Sequence, residues 1–441
     1  MPPPDPIRLL TITPIDYDRT WNNRDHNMIR CFSQMNCHVT HIYKALNRSS
    51  RFADLLKDTF TASVRASDEG TTRLVRVDPP FNYFAGLEPA VSSWSAERSF
   101  RQRLRGRLLR LLYPLRVFRD VFFVPTVTLV VLLRERGRYD VCIGFGPWGA
   151  LAGWALRAMG RVRVLVYEDQ DYEPGLVPDR LRQAYTRRVE RFATQRADLL
   201  VSVGEYLAEL RRNEAKREVH VIPNGVAWER FRDARKVERQ GDTLLYVGNV
   251  VSWSGLEIAI RAMPAILESF PGARLKVVGD GPASYRESLV ALVSTLNLET
   301  HVEFLGSIPH VELAFCMAGA AIGLAISEPV PYRRYAYPLK VIEYMAAGLP
   351  VIGTVGTETE RIIERCQCGI ASAYGVESFV PAAIRLLGDT EFHGRARASG
   401  LRHSKEMTWE SLFAGELAMI RRRLDASSGA TANRAPGVSA Q

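Results

Sequence analysis

The sequence predicts an α/β protein made of two doubly wound halves. Three observations carry that expectation. Short β-branched runs alternate with amphipathic stretches along most of the chain, the pattern of parallel sheets. The chain has 441 residues, too many for a single core. A polar, charged stretch from Trp228 to Asp242 divides two such series and reads as a linker.

In the first series Ile7–Thr13 reads as a strand and the segment from Asp25 to Asn36 as its helix. His38–Tyr43 and Thr72–Val77 are further strands. Tyr139–Phe145, Val162–Glu168, Ala197–Val203 and Val219–Pro223 continue the series, with helices at 148–159, 178–196 and 205–213. The Asn224-Gly225 turn closes this half. In the second series Thr243–Asn249 is a strand and Gly255–Phe270 a helix. Leu275–Pro282 and Val302–Ile308 are strands with their turns. Glu312–Ala320, Ala320–Ile326, a helix from Leu339 and Leu349–Thr354 follow. The expected domains are 1–235, 236–405, a helix over 406–424 packing back across the first half, and a disordered tail from 425 to 441.

One segment breaks the alternation. Arg98–Arg119 carries eight Arg and no acidic residue, with leucines at 104, 108, 111, 112 and 115 at helical spacing. It reads either as a solvated basic cover or as a helix lying on an anionic membrane surface. The apolar run Val121–Leu133 beside it contains Pro125 and is too short to span a bilayer.

The apolar fraction is 46% and the charged fraction 24%, ordinary for a globular protein. The net charge of +10 is carried mostly by Arg and favours an acidic partner. That charge fits a nucleotide, a phospholipid surface or nucleic acid; of these, nucleic acid is not among the expected partners. The six Cys show no Cys-x2-Cys pair, and a disulfide framework is not expected at this length. Cys37, His38 and His41 lie in an alternating strand, so packing is the simpler reading than metal binding. The N-terminal segment lacks the basic and apolar regions of a secretory signal. The expected location is cytoplasmic, with peripheral contact to the inner face of the plasma membrane.

Two motifs compete for attention in the first half. Gly144, Gly146 and Gly149 form Gly-x-Gly-x-x-Gly between a strand and a helix, and Glu168 falls where a ribose-binding acid would. Against a dinucleotide reading, Pro147 removes an N–H and Trp148 crowds the helix entrance. Asp169-Gln170-Asp171 is an Asp-x-Asp that could hold a diphosphate-bound metal, or contribute a carboxylate to a cleft between the halves.

The second half is more coherent. Gly248, Gly279, Gly281 and Gly306 sit at the ends of successive strands, where ligands bind in open parallel sheets. Pro338–Thr354 adds a helix whose first turn carries Lys340 and, three residues on, Glu343. Gly348 supplies a left-handed cap. Free N–H groups, a dipole end and a cation suit a phosphate, and the carboxylate suits sugar hydroxyls.

In order and spacing, VIPNGV, LLYVGN, GLEIAIRAM, LKVVGDGP, VEFLG and PLKVIEYMAAGLPVIGT resemble a retaining glycosyltransferase of family 4, also called group 1, with the GT-B fold. The match is densest from about 198 to 365. The resemblance implies two Rossmann-like domains facing each other across a cleft: an acceptor domain and then a nucleotide-sugar domain. It implies that Glu343 binds the ribose and that the turn at Leu339-Lys340 meets the diphosphate. Gly248, Asn249, Gly279, Gly281, Gly306 and Ile308 would line the nucleotide and sugar, with Tyr335 at the donor-sugar position. The chain departs from the family at four places. Tyr335 replaces a Glu, Asn249 an Arg and Ser254 a Lys, and the paired glycines of the first loop are missing from TPIDYDRT. Phosphate charge then falls to Lys340 with Arg333 or Arg334, and Asp169 is a further candidate for the chemistry. The implied reaction moves a sugar from a nucleotide diphosphate to a glycan or lipid-linked acceptor, with retention and with no metal or other cofactor. The rivals are a silent GT-B partner in a polysaccharide assembly and an NAD oxidoreductase.

Overall fold

The computed structural model describes residues 5–15, 17, 24–44, 63–78, 116–176, 180–237, 239 and 241–432. Two compact units divide the chain. One comprises 1–203, 207–222 and 413–441, the other 204–206 and 223–412.

The first unit is built on an eight-stranded sheet. Its elements are β1 (Ile7–Thr13), α1 (Arg24–Gln34), β2 (Cys37–Lys44), β3 (Ser63–Glu69), β4 (Thr72–Asp78), α2 (Arg116–Arg134), β5 (Tyr139–Phe145), α3 (Gly146–Ala158), β6 (Val162–Asp169), α4 (Arg180–Arg196), β7 (Leu199–Ser202), α5 (Glu205–Ala215) and β8 (His220–Val221). The order is β3-β4-β2-β1-β5-β6-β7-β8, parallel except for β3, which pairs antiparallel with β4. Central strands such as β5 and β6 are apolar on both faces because helices cover both. Strand β3 escapes sequence detection because SVRASDE is an edge strand with mostly exposed side chains. The basic segment up to 115 lies outside the described residues.

The glycine motif after β5 is a packing device. A Cβ on Gly149 would come 2.4 Å from the Ile12 carbonyl oxygen, and one on Gly153 would come 2.6 Å from a Leu165 methyl. These glycines let α3 press onto the sheet. Trp148 is buried at the helix start, 5.8 Å edge-on from Tyr185. The dinucleotide reading therefore has no room for a pyrophosphate at that turn. Of the suspected ligands in β2, Cys37 and His41 are buried and His38 is exposed. Nδ1 of His41 lies 2.8 Å from the Thr11 hydroxyl, and burial lowers its pKa to about 4.

The second unit has elements β9 (Thr243–Val247), α6 (Leu256–Ser269), β10 (Arg274–Val278), α7 (Ala283–Thr295), β11 (Val302–Gly306), α8 (His310–Gly319), β12 (Ile322–Ala325), the single turn α9 (Pro331–Arg334), α10 (Leu339–Ala347), β13 (Val351–Thr354), α11 (Glu358–Cys366), β14 (Gly369–Ser372), α12 (Val376–Gly388) and α13 (Thr390–Glu406). Its sheet is wholly parallel, in the order β11-β10-β9-β12-β13-β14. Apolar clusters fill both faces.

The expected linker is part of this unit. Residues 228–231 and 234–236 form 3-10 turns, and Phe231 and Ala234 are buried in its core. Val226 donates its N–H to Met407. The unit boundary accordingly falls at 222/223, not 235/236. The last helix, α14 (Trp409–Ala432), runs past Asp425, where composition suggests a tail. From Phe413 onward it belongs to the first unit. There Phe413 packs edge-on at 5.8 Å from Phe32, and Arg24 reaches both Glu168 and Glu416.

Asp169 is not at a surface. Its carboxylate is buried and accepts from Arg211 Nε at 2.7 Å and the Tyr167 hydroxyl at 3.2 Å. Arg211 also holds Glu190, whose carboxyl burial raises above the usual range. Replacing the shared cation, Arg211→Met, strands two buried carboxylates and should cost roughly 3–5 kcal/mol of stability. A lower urea midpoint with unchanged ligand affinity in the folded protein is expected. Lost ligand affinity at unchanged stability would return Asp169 to the functional site.

Candidate functional site

The second sheet changes direction between β9 and β12. From β9 the chain winds outward to β10 and β11, and from β12 to β13 and β14. The connections leave on opposite faces there, so the carboxyl ends of these two strands open into a crevice. Tyr344 of α10 fixes this point. Its buried hydroxyl accepts the Val247 N–H at 2.9 Å and lies 3.3 Å and 3.4 Å from the carbonyl oxygens of Leu245 and Leu324. Gly323 makes room for the ring, since a Cβ there would come within 2.6 Å of it.

A cavity of about 440 Å3 lies at those strand ends. Its walls come from β9 and the following loop, from Ala325–Ser327 after β12, from Arg333 on α9, and from the first turns of α10 and α11. That volume is in the range of small-molecule sites.

Helix α10 presents its amino end to the cavity. Pro338 stands at the N-cap, and no side chain caps the first turn. Lys340 and Glu343, one turn apart, both line the cavity. The Lys340 ammonium sits 4.0 Å from the centre of the Tyr246 ring, and Gly248, at φ +141°, leaves it space: a Cβ there would lie 2.9 Å from Nζ. Burial, with the like charge of Arg333, lowers the Lys340 pKa to about 7 against the pull of Glu343. Burial raises the Glu343 carboxyl, opposed by Arg230 and Lys340. The far end of α10 closes as expected, with Gly348 left-handed at φ 78°.

Arg333 is the second cation. Its guanidinium stands 4.9 Å from the Trp253 ring centre and 5.2 Å from that of Tyr332, and its buried Nε has no hydrogen-bond partner. Two aromatic faces thus hold a cation whose donors are not consumed.

The structure brings Gly248, Asn249, Arg333, Leu339, Lys340 and Glu343 together. The other expected residues stand elsewhere. Gly279 and Gly281 serve backbone approach: Cβ atoms there would come 2.0 Å from the Gly248 oxygen and 1.8 Å from the Val250 oxygen. Gly306 accepts the Gly279 N–H and extends the same contact. Ile308 packs on the core, and Tyr335 is partly buried beyond the cavity lining. Arg334 is exposed and lies over the Tyr206 ring at 4.6 Å. Asp169 is in the buried cluster of the first unit. Among the described residues, no three His, Cys, Asp or Glu side chains gather as metal ligands would.

Sequence reasoning missed Trp253, Thr357 and Thr359, which line the same cavity. The last two had a signal. Thr357-Glu358-Thr359-Glu360 has capping-box spacing, although the Thr357 side chain makes no cap bond and Glu360 accepts instead from the Gly356 N–H at 2.8 Å. Trp253 had none, because its role depends on Arg333 arriving from another loop.

Residues 241–389 match the family described as "Glycosyl transferases group 1", and residues 39–225 match "Glycosyl transferase 4-like domain". The chain belongs to the group 1 glycosyltransferases. A glycogen synthase of Mycobacterium tuberculosis is 27% identical over 232 residues, covering 51% of this chain and 54% of the relative. The chain thus spans about half the length of that curated relative. Among solved structures, the sucrose-phosphate synthase of Thermosynechococcus elongatus aligns with a TM-score of 0.68 at 18% identity, over 96% of this chain and all (100%) of that one. Anabaena HepE in complex with UDP aligns with a TM-score of 0.64 at 16% identity, over 95% of this chain and 100% of that one. These likenesses establish the GT-B fold. The matched residues 39–225 fall largely in the first unit, and residues 241–389 lie within the other.

The depressed Lys340 pKa has a measurable consequence. A bound diphosphate favours the charged lysine, so binding takes up a proton wherever free Lys340 is neutral, above about pH 7. UDP affinity, with UDP as probe, should fall as pH rises from about 7 to 9, approaching about tenfold per unit. Calorimetry in buffers of different ionisation enthalpy should show proton uptake, and Lys340→Met should abolish it. A wild-type affinity flat across this range would contradict the enclosed-lysine geometry.

Proposed function

We propose that this chain transfers a sugar from a nucleotide-diphosphate donor to an envelope glycan or a lipid-linked acceptor, with retention of anomeric configuration. The observation that carries the proposal is the convergence of Lys340, Arg333, Glu343 and the uncapped start of α10 on one cavity at the strand switch point. In this reading Glu343 accepts from the ribose hydroxyls. The first N–H groups of α10 and the Lys340 ammonium hold the diphosphate. Arg333 supplies the charge that the family places at the positions occupied here by Asn249 and Ser254. As the glycosidic bond to the donor breaks, negative charge grows on the departing diphosphate. Fixed cations and N–H dipoles in a partly enclosed site stabilise that charge more than water does. The first domain takes the acceptor. The UDP complex of the HepE structure supports a nucleotide donor, and family membership supports retention.

A silent assembly partner is the second reading, favoured by one observation: Tyr335 stands outside the cavity lining where the family has a donor-holding Glu. Donor turnover separates the two readings.

Four measurements test the proposal. In a thermal-shift series with UDP, GDP and ADP, one nucleotide should raise the melting temperature in a concentration-dependent way. Against that nucleotide, Glu343→Ala should lose roughly 1.5–3 kcal/mol of binding. Unchanged affinity would remove Glu343 from the ribose. Transfer or donor hydrolysis should persist in excess EDTA, because Lys340 and Arg333 neutralise the diphosphate. Activity abolished by EDTA and restored by manganese would overturn that assignment. The anomeric signal of the product, followed by NMR, should match that of the donor.

A further inference from the structure

Helix α2 has two apolar faces, and only one of them has a partner in the fold. Phe123, Val127, Val130 and Val131 point into the core of the first unit. The opposite face carries Val121 (47% exposed), Phe122 (37%), Leu129 (55%), Leu132 (37%) and Leu133 (75%), with Pro125 exposed among them. Residues 121, 125, 129 and 132 recur at helical spacing, so they form one stripe about 18 Å long at 1.5 Å per residue. No charged residue interrupts it from Val121 to Leu133. Of the two threonines in this span, Thr128 is buried and Thr126 donates to the Phe122 carbonyl.

Charge flanks the stripe at both ends. Beyond it Arg134, Arg136 and Arg138 are exposed. The acid among them, Glu135, is turned inward onto Arg73 at 3.1 Å. Before the stripe, the sequence from 98 to 120 has eight Arg and one acid, Asp120. An exposed apolar stripe of this length is unusual on a soluble monomer. Among the described residues, no helix is long and apolar enough to cross a membrane.

We propose that the outer face of α2 lies in the interface of an anionic lipid bilayer, its leucines dipping below the headgroups and its flanking arginines pairing with lipid phosphates. An apolar stripe between basic ends is the form taken by helices that lie in the membrane plane. A protein partner would need acids placed at both ends of a matching groove, whereas an anionic leaflet presents negative charge everywhere. The proposal concerns a surface of the first unit and does not rest on the donor chemistry.

The test uses the full chain and flotation with vesicles of phosphatidylcholine, with and without phosphatidylglycerol. The wild type should float with the anionic vesicles at low salt and be largely released at high salt. Leu129→Gln with Leu133→Gln should weaken partition by about tenfold or more, since two exposed leucines lose their burial in lipid. Arg136→Gln with Arg138→Gln should weaken it on anionic vesicles only. Both variants should keep the wild-type melting temperature, because the substituted side chains are exposed. The proposal is overturned if the wild type stays in the aqueous phase, or if the leucine variant floats as well as the wild type. It is equally overturned if the wild type is a dimer that the leucine variant makes monomeric, because a second copy then covers the stripe. A Leu133→Cys variant that reacts slowly with a water-soluble maleimide before vesicles are added would show that this chain itself covers the face.

Discussion

The separation of β9 from β12 at their carboxyl ends is the constraint on which the site depends. Parallel strands there diverge, and backbone groups that would pair in a ladder need another partner. The Tyr344 hydroxyl provides it, meeting the Val247 N–H and reaching the Leu245 and Leu324 carbonyls. The residue that secures the crevice is thus on the same helix as Lys340 and Glu343. Seating that ring under the sheet sets the height and rotation of α10, and with them the direction of its uncapped end. Gly323 is the complementary concession, since any side chain would collide with the ring.

Around that fixed point the charge of the cavity is assembled from separate loops. Lys340 comes from the helix, Arg333 from the turn after β12, and the aromatic surfaces that hold them from β9, its loop and Tyr332 beside Arg333. Aromatic rings hold these cations without consuming their donors, as carboxylates would. The lysine is held less firmly as a cation, because burial favours its neutral form. The site is therefore poised for an anion, which would restore the charge on Lys340.

The first unit shows the opposite use of charge. Asp169, Arg211 and Glu190 neutralise one another out of solvent, and Arg24 does the same for Glu168 and Glu416. These clusters tie strand ends to helices far away in sequence. They consume the carboxylates that chain position alone made attractive as catalytic groups. In the same unit α2 keeps a second apolar face that the core does not use.

The sequence by itself determined the alternating strands and helices, the all-parallel second sheet, and the α10 signature with Lys340, Glu343 and the Gly348 cap. Those features are legible because they depend on neighbours within a turn or two: side-chain periodicity, dipole ends and left-handed glycine. The edge strand β3 was invisible because half of its pattern is solvent. The elements between Thr354 and Trp409 gave weak signals beyond the capping-box spacing of Thr357–Glu360. Tertiary structure alone decided the rest. Asp169 meets Arg211 across 42 positions of chain, Trp253 meets Arg333 from another loop, and the turns at 228–236 bury Phe231 instead of linking two domains. Such pairings depend on which strand ends and loops the winding order brings side by side, and no local pattern of residues encodes that order.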